Sequence, residues 1–292
     1  MTTTPHTPRC IARHSGLWCV NAEWFQTTWA AVRAGSYPIL AAEDAEARSV
    51  PYSAITEDGI GLIAIDGPMM KGASKFGNTD TVQVRQAVRT MMADPKVRGV
   101  VIRADSPGGT FDGTDELHDD IAALAKEKPV YTQVEGLGAS ALVYAVAGST
   151  AQFATRTSQY GSLGTMAVIE DSSKAAEMAG VKVHVLSTGE FKGAGAEGAP
   201  ITDGTLDYLR ERLQTANGFF RDAVKKGRGL TEKKVDQVWD GRTWFAADAL
   251  ALGLIDGVQG MDDTINALRV EIKTREKAAK ASARMGMARL RG

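Results

Sequence analysis

The sequence predicts an α/β protein, with a largely parallel sheet covered by helices and a set of C-terminal helices. Two patterns carry that prediction. Short apolar runs rich in β-branched residues (61–66, 99–104, 130–135) stop at glycine- or serine-rich turns, and segments of helical apolar spacing (81–93, 113–125, 140–147) separate them. The composition agrees: 292 residues with 43% hydrophobic and 24% charged content suit one main domain with short appendages. The parts are a helical leader and linker (1–55), a core domain (56–262) and a basic tail (263–292).

Residues 1–13 are rich in Thr, Pro, His and Arg, and no apolar region follows that could serve as a secretory signal. Residues 17–33 have the look of an amphipathic helix with its aromatic side chains on one side, and 34–53 read as a linker. A strand at 61–66 and a helix at 81–93 come next. The run Val100-Val101-Ile102 is then stopped by Ser106-Pro107-Gly108-Gly109, a buried strand entering a glycine turn. Two successive glycines let backbone N–H groups approach a ligand closely, as an oxyanion hole requires; an ordinary strand-ending turn has the same composition.

After a helix at 113–125, the strand 130–135 leads through Gly136-Leu137-Gly138-Ala139 to Ser140, at the start of an apolar helix (140–147). Ser140 is therefore expected at a strand-to-helix turn, with the N–H of Ala141 able to face a developing oxyanion. A strand at 151–155 precedes the glycine-punctuated Tyr160-Gly161-Ser162-Leu163-Gly164, and a helix follows at 172–179. The alternating stretch 181–187 reads as a further strand, delivering Lys192 on the loop Thr188-Gly189-Glu190-Phe191-Lys192. Helices at 203–226, 231–239 and 246–252 end in Gly253-Leu254-Ile255-Asp256-Gly257.

Ser140 and Lys192 would form a nucleophile and base. A serine hydroxyl needs a proton acceptor to attack, and a lysine accepts a proton only where burial or a nearby cation disfavours its charge. Alone, such residues are more often a helix cap and a solvated surface charge. In this order, however, Ser-Pro-Gly-Gly, Gly-Ala-Ser-Ala, Tyr-Gly-Ser-Leu-Gly and Gly-Glu-Phe-Lys resemble the signal peptide peptidase A family of serine-lysine peptidases in the Clp-protease/crotonase superfamily. The resemblance spans about residues 59–260 and implies a Clp/crotonase-like spiral of βα units. It makes Ser140 the nucleophile, Lys192 the general base, Gly108, Gly109 and Ala141 the oxyanion hole, and Ser162 the residue orienting the lysine.

Within that family the sequence sits nearest the phage head-maturation proteases, whose leaders also carry a Leu-Trp phrase ahead of a helix. The resemblance thus implies a serine endopeptidase acting on scaffold, capsid or portal-associated proteins, working as a homo-oligomer with no cofactor or metal. The expected location is the host cytoplasm or the assembling prohead, with no membrane anchor. A signal-peptide-degrading protease, an inactive structural capsid component and crotonase-like acyl-CoA chemistry stay open as alternatives. His6, His14, His118 and His184 lie in no triad context, and His184 reads as a structural strand residue. Cys10 and Cys19 precede the core and read as free thiols. Net charge is −1, so nucleic-acid contact is confined to the tail, where 269–292 carries eight Lys or Arg against two Glu.

Overall fold

The computed structural model describes residues 16–34, 36, 53–72 and 78–289. Expectations for residues 1–13, His14, most of the linker and residues 73–77 lie outside them. In chain order the elements are β1 (Trp18–Val20), α1 (Ala22–Arg33), β2 (Ser53–Ile55), β3 (Ile60–Asp66), β4 (Met69–Met70), β5 (Thr79–Asp80), α2 (Thr81–Ala93), β6 (Gly99–Ser106), β7 (Gly108–Thr110), α3 (Thr114–Glu127), β8 (Val130–Ala139) and α4 (Ala141–Val146). They continue with β9 (Ala151–Ala154), β10 (Gln159–Gly161), α5 (Ser173–Met178), α6 (Asp203–Arg228), α7 (Glu232–Val238), β11 (Thr243–Phe245), α8 (Ala246–Ala251), β12 (Gly257–Val258) and α9 (Met261–Arg289).

Among the described residues the larger sheet runs β11-β10-β8-β6-β3-β2, with β9 on β8 and β12 on β9. Pairing is parallel except at the edges, where β2 and β11 run antiparallel. The central strand β6 is apolar on both faces, with Val100, Val101, Ile102 and Ala104 all fully buried, as a parallel strand with both faces covered requires. Each large side chain of that run contributes about 1.5–3 kcal/mol of burial. A smaller sheet, β1-β7-β4-β5, is built around the glycine strand β7.

Local sequence explains the helices that cover the sheets. Asp80 caps α2 by accepting from the N–H of Val82 at 2.9 Å, and Val84, Ala87, Val88 and Met91 form its buried stripe. On α3, Leu117, Ile121 and Leu124 are buried at helical spacing, while Asp115 and Glu116 favour the first turn. Outside, Asp120 binds Arg85 and Arg89 and ties α3 to α2. Tyr144 of α4 stacks on Phe220 of α6 at 4.9 Å, so the short helix after Ser140 is held inside the core. The basic tail begins within α9, whose Leu268 and Ile272 pack with Ile60, Val101 and Tyr131 on the larger sheet.

Two expectations need correction. Residues 181–187 form no strand; Val181 and Val185 are exposed and Leu186 is 95% exposed. Alternation selects a face only where a sheet edge and a core receive it, and this stretch has neither among the described residues. Because it is no strand, His184 there is simply exposed. The stretch 17–33 is likewise not one helix. Asn21 divides it, ending β1 and capping α1 by accepting from the N–H of Trp24 at 2.9 Å.

Candidate active site

The end of β8 lies beside the end of β10, with Ala139 paired to Gly161. Each strand is followed by a serine, Ser140 and Ser162, and both have φ of 54°. They are the described non-glycine residues with positive φ. Such a conformation costs of the order of 1–3 kcal/mol and persists where surrounding bonds enforce it. Here Ser140 N–H donates to Gly161 O at 2.8 Å and Ser162 N–H to Arg242 O at 2.6 Å. Ser140 thus stands on a sharp strand-to-helix turn between β8 and α4.

The Ser140 hydroxyl is fully buried and has no hydrogen-bond partner. A buried hydroxyl without a partner is expensive, so packing alone does not favour a serine here; among the described residues Thr81 Oγ1 is the other such group. Ala141 opens α4, where first-turn N–H groups lack an intrahelical acceptor. Across from it, β7 carries the two glycines. A Cβ on Gly108 would stand 2.9 Å from the Ala141 nitrogen, and one on Gly109 would stand 1.8 Å from Met69 O. Only glycine lets β7 approach the serine turn on one side and β4 on the other.

Gly108 therefore lies against the turn that holds Ser140 and Ala141, while Gly109, next in β7, packs on Met69. Gly108 N–H is already engaged, donating to Ser106 Oγ at 3.2 Å, while that hydroxyl donates to Gly67 O at 2.6 Å. Ala141, at the helix start, is the donor placed beside the turn, while Gly109 is paired with Cys19 on one side and Met69 on the other. Ser162 lines a cavity of about 430 Å³ with Leu163, Thr165, Arg210, Trp239 and Asp240. Lys192 is not brought to Ser140. It is exposed, on a loop where Phe191 stacks on Tyr208 at 4.7 Å, and no residue from 164 to 204 is buried.

Sequence reasoning missed two supports of this site. Asp105 accepts from the N–H of Leu137 at 2.9 Å and fixes the approach to Ser140, and Ser106 is fully buried beneath the glycine turn. Both stand in the Asp105-Ser106-Pro107-Gly108-Gly109 phrase, where a polar pair closing an apolar strand was the available signal. Among the described residues no group of His, Cys, Asp and Glu could hold a metal, and no helix is long and apolar enough to cross a membrane.

Known proteins are similar to this chain in sequence. The chain is 28% identical over 213 residues to the chloroplastic serine protease SPPA of Arabidopsis thaliana, covering 73% of this chain and 31% of that protein. It is 26% identical over 224 residues to protease 4 of Salmonella typhi, covering 74% and 35%, and 23% identical over 223 residues to capsid assembly protease C of Escherichia phage lambda, covering 75% and 51%. It thus spans about a third of the length of the first two and about half of the third. The family model described as Peptidase family S49 matches residues 122–275, just over half of the chain and inclusive of Ser140, Ser162 and Lys192. By this match the chain belongs to Peptidase family S49.

Proposed function

We propose that this protein is a serine endopeptidase with a Ser140–Lys192 dyad on a Clp/crotonase-like spiral. In this reading it cleaves scaffold or capsid proteins as a phage head matures, in the host cytoplasm or inside the prohead. The observation that carries it is the orphaned, buried hydroxyl of Ser140 on a strained turn beside Gly108 and Ala141, in a chain of a peptidase family. Ser140 Oγ attacks the scissile carbonyl as Lys192 Nζ, in its neutral form, takes the proton. The N–H groups of Gly109 and Ala141 receive the oxyanion. Lysine then protonates the leaving amine, and water releases the acyl group by the same steps in reverse.

The dyad requires movement or a second copy, since Lys192 is exposed and makes no hydrogen bond to Ser140. The unburied segment 164–204, with Val181, Val185 and Leu186 outward, has the character of a surface that closes on something. Closing would bury Lys192 and bring it toward Ser162 and its cavity, and burial is what makes a lysine a base. A homo-oligomer, in which one copy's segment covers another's serine, satisfies both needs.

The similarity to protease 4 and chloroplastic SPPA favours a second reading, a degradative protease of signal-peptide-peptidase type. Wild type, Ser140→Ala and Lys192→Ala, each incubated with candidate scaffold and capsid proteins and with apolar signal-type peptides, separate the two by intact mass. Fragments from the capsid set alone support the first reading, and from the peptides alone the second. Equal behaviour of all three proteins refutes the dyad. Mixing the two variants adds one arm: recovered cleavage means that Ser140 and Lys192 act across copies.

A further inference from the structure

We propose that β1, the strand Trp18–Val20, is a resident occupant of the track that holds an extended peptide substrate, so that the protein described here is self-blocked. The proposal rests on the peptidase reading above. β1 runs antiparallel to the glycine strand, with Trp18 opposite Thr110, Cys19 opposite Gly109 and Val20 opposite Gly108. The ladder extends past both ends, because Phe111 N–H donates to Leu17 O at 3.0 Å and Asn21 N–H to Pro107 O at 2.7 Å. On its other edge Trp18 exchanges both backbone hydrogen bonds with Met166, each 2.8 Å. The segment is thus inserted between the glycine strand and the chain that follows Ser162.

That is the position an extended peptide needs. Peptides held on a sheet edge are bound by main-chain hydrogen bonds to one free strand edge. One edge of β7 is taken by β4, through Gly109 and Met69, and the other by β1, so neither is free. The fit reaches the site itself. Cys19 O lies 2.3 Å, and the Ala141 nitrogen 2.9 Å, from the point where a Cβ on Gly108 would stand. A backbone carbonyl of the chain's own N-terminal segment therefore stands beside an amide proposed to receive the oxyanion. Trp18, Cys19 and Val20 are almost wholly buried, so the cover is closed. A substrate strand and β1 compete for one edge, and cleavage requires that β1 leave.

α1 holds the strand in place from outside. Arg33 pairs with Glu170 at 2.9 Å, and Phe25 and Trp29 flank a groove with Met166 and Val168. The strand is covalently part of the chain, so a substrate competes with it as with a tethered ligand.

The test places a recognition sequence for a site-specific protease after position 44 in the full chain, in wild-type and Ser140→Ala forms. Cutting and size exclusion then remove the N-terminal piece from the folded protein. Hydrolysis of fluorescent casein is expected to rise at least tenfold on removal and to fall again when a synthetic peptide of residues 16–34 is added; a scrambled peptide has no effect. The same peptide, fluorescently labelled, is expected to bind the cut Ser140→Ala protein by anisotropy. Equal activity before and after cutting together with no peptide binding overturns the proposal, as does loss of native circular dichroism on cutting, which makes β1 an obligate part of the fold. Peptide binding to the Ser140→Ala form with no hydrolysis from either wild-type form sinks the peptidase reading and leaves the occupied track standing.

Discussion

Replacing Ser140 with alanine is expected to stabilise the protein while abolishing its chemistry. The hydroxyl is buried without a partner, and such a group costs about 1–3 kcal/mol relative to its absence. Alanine removes that cost and keeps the backbone strain of φ 54° and ψ −109°. Glycine removes both, gaining a further ~1–3 kcal/mol of strain relief against ~0.5–1 kcal/mol of added unfolded-state entropy. The order of stability should therefore be Ser140→Gly at or above Ser140→Ala, and both above wild type by about 1 kcal/mol or more. Equilibrium urea unfolding followed by far-UV circular dichroism, at protein concentrations low enough to hold the chain as one copy, reads the three directly. A Ser140→Ala protein less stable than wild type refutes the reasoning, because it means that the hydroxyl has a partner in solution.

Three further outcomes follow from the packing. Within α6, Gly218→Ala meets nothing within 4 Å and should stabilise by up to ~1 kcal/mol, whereas a Cβ on Gly227 would lie 1.9 Å from Ala147 O. Gly227→Ala should thus fall ~2 kcal/mol or more below Gly218→Ala in urea, since helix propensity cancels between them and overpacking remains. Asp256→Ala strands Arg228, whose side chain is 7% exposed and bonded to both carboxylate oxygens at 2.8 Å, and it also frees the N–H of Gln152. It should cost ~2–3 kcal/mol and resist added salt, while Asp207→Ala, at an exposed pair, should change stability by less than ~0.5 kcal/mol. Burial holds His118 below its ordinary value, against the opposing pull of Asp119 and Asp115. The unfolded chain therefore binds the proton more readily, and stability present above about pH 6.5 is lost as pH falls below it. His118→Gln should flatten that part of the thermal midpoint against pH; an unchanged slope removes His118 as its cause.

Much of the parallel core was legible because each of its strands and helices satisfies a local rule and a global one together. The run Val100-Val101-Ile102 before Ser106-Pro107-Gly108-Gly109 is a buried strand wherever it stands, and Asp80 before the stripe of α2 is a cap in any context. Ser140 was legible for the same reason, as small residues between a strand and an apolar helix. The failures came where the partner is remote in sequence. Trp18–Val20 is a strand only because Gly108–Thr110, about ninety residues later, offers it an edge, and periodicity within 17–33 could not reveal that. At 181–187 the reverse holds: the pattern of a strand is present, and the edge that would make it one is absent from the described chain. Proximity of Lys192 to Ser140 was inferred from motif order, which fixes neither the path of the intervening 164–204 segment nor the number of copies that build the site.

The burial of Cys19 supplies a clock. Its thiol has no exposed surface, and burial pushes its proton affinity well above that of an ordinary thiol, so both access and thiolate formation are suppressed while β1 is seated. In a Cys10→Ser background it is the sole sulfhydryl of the chain. At high concentration of a small disulfide reagent the rate of modification counts departures of the strand; at low concentration, dividing it by the reagent's rate on the unfolded chain gives the fraction of time the cleft stands open.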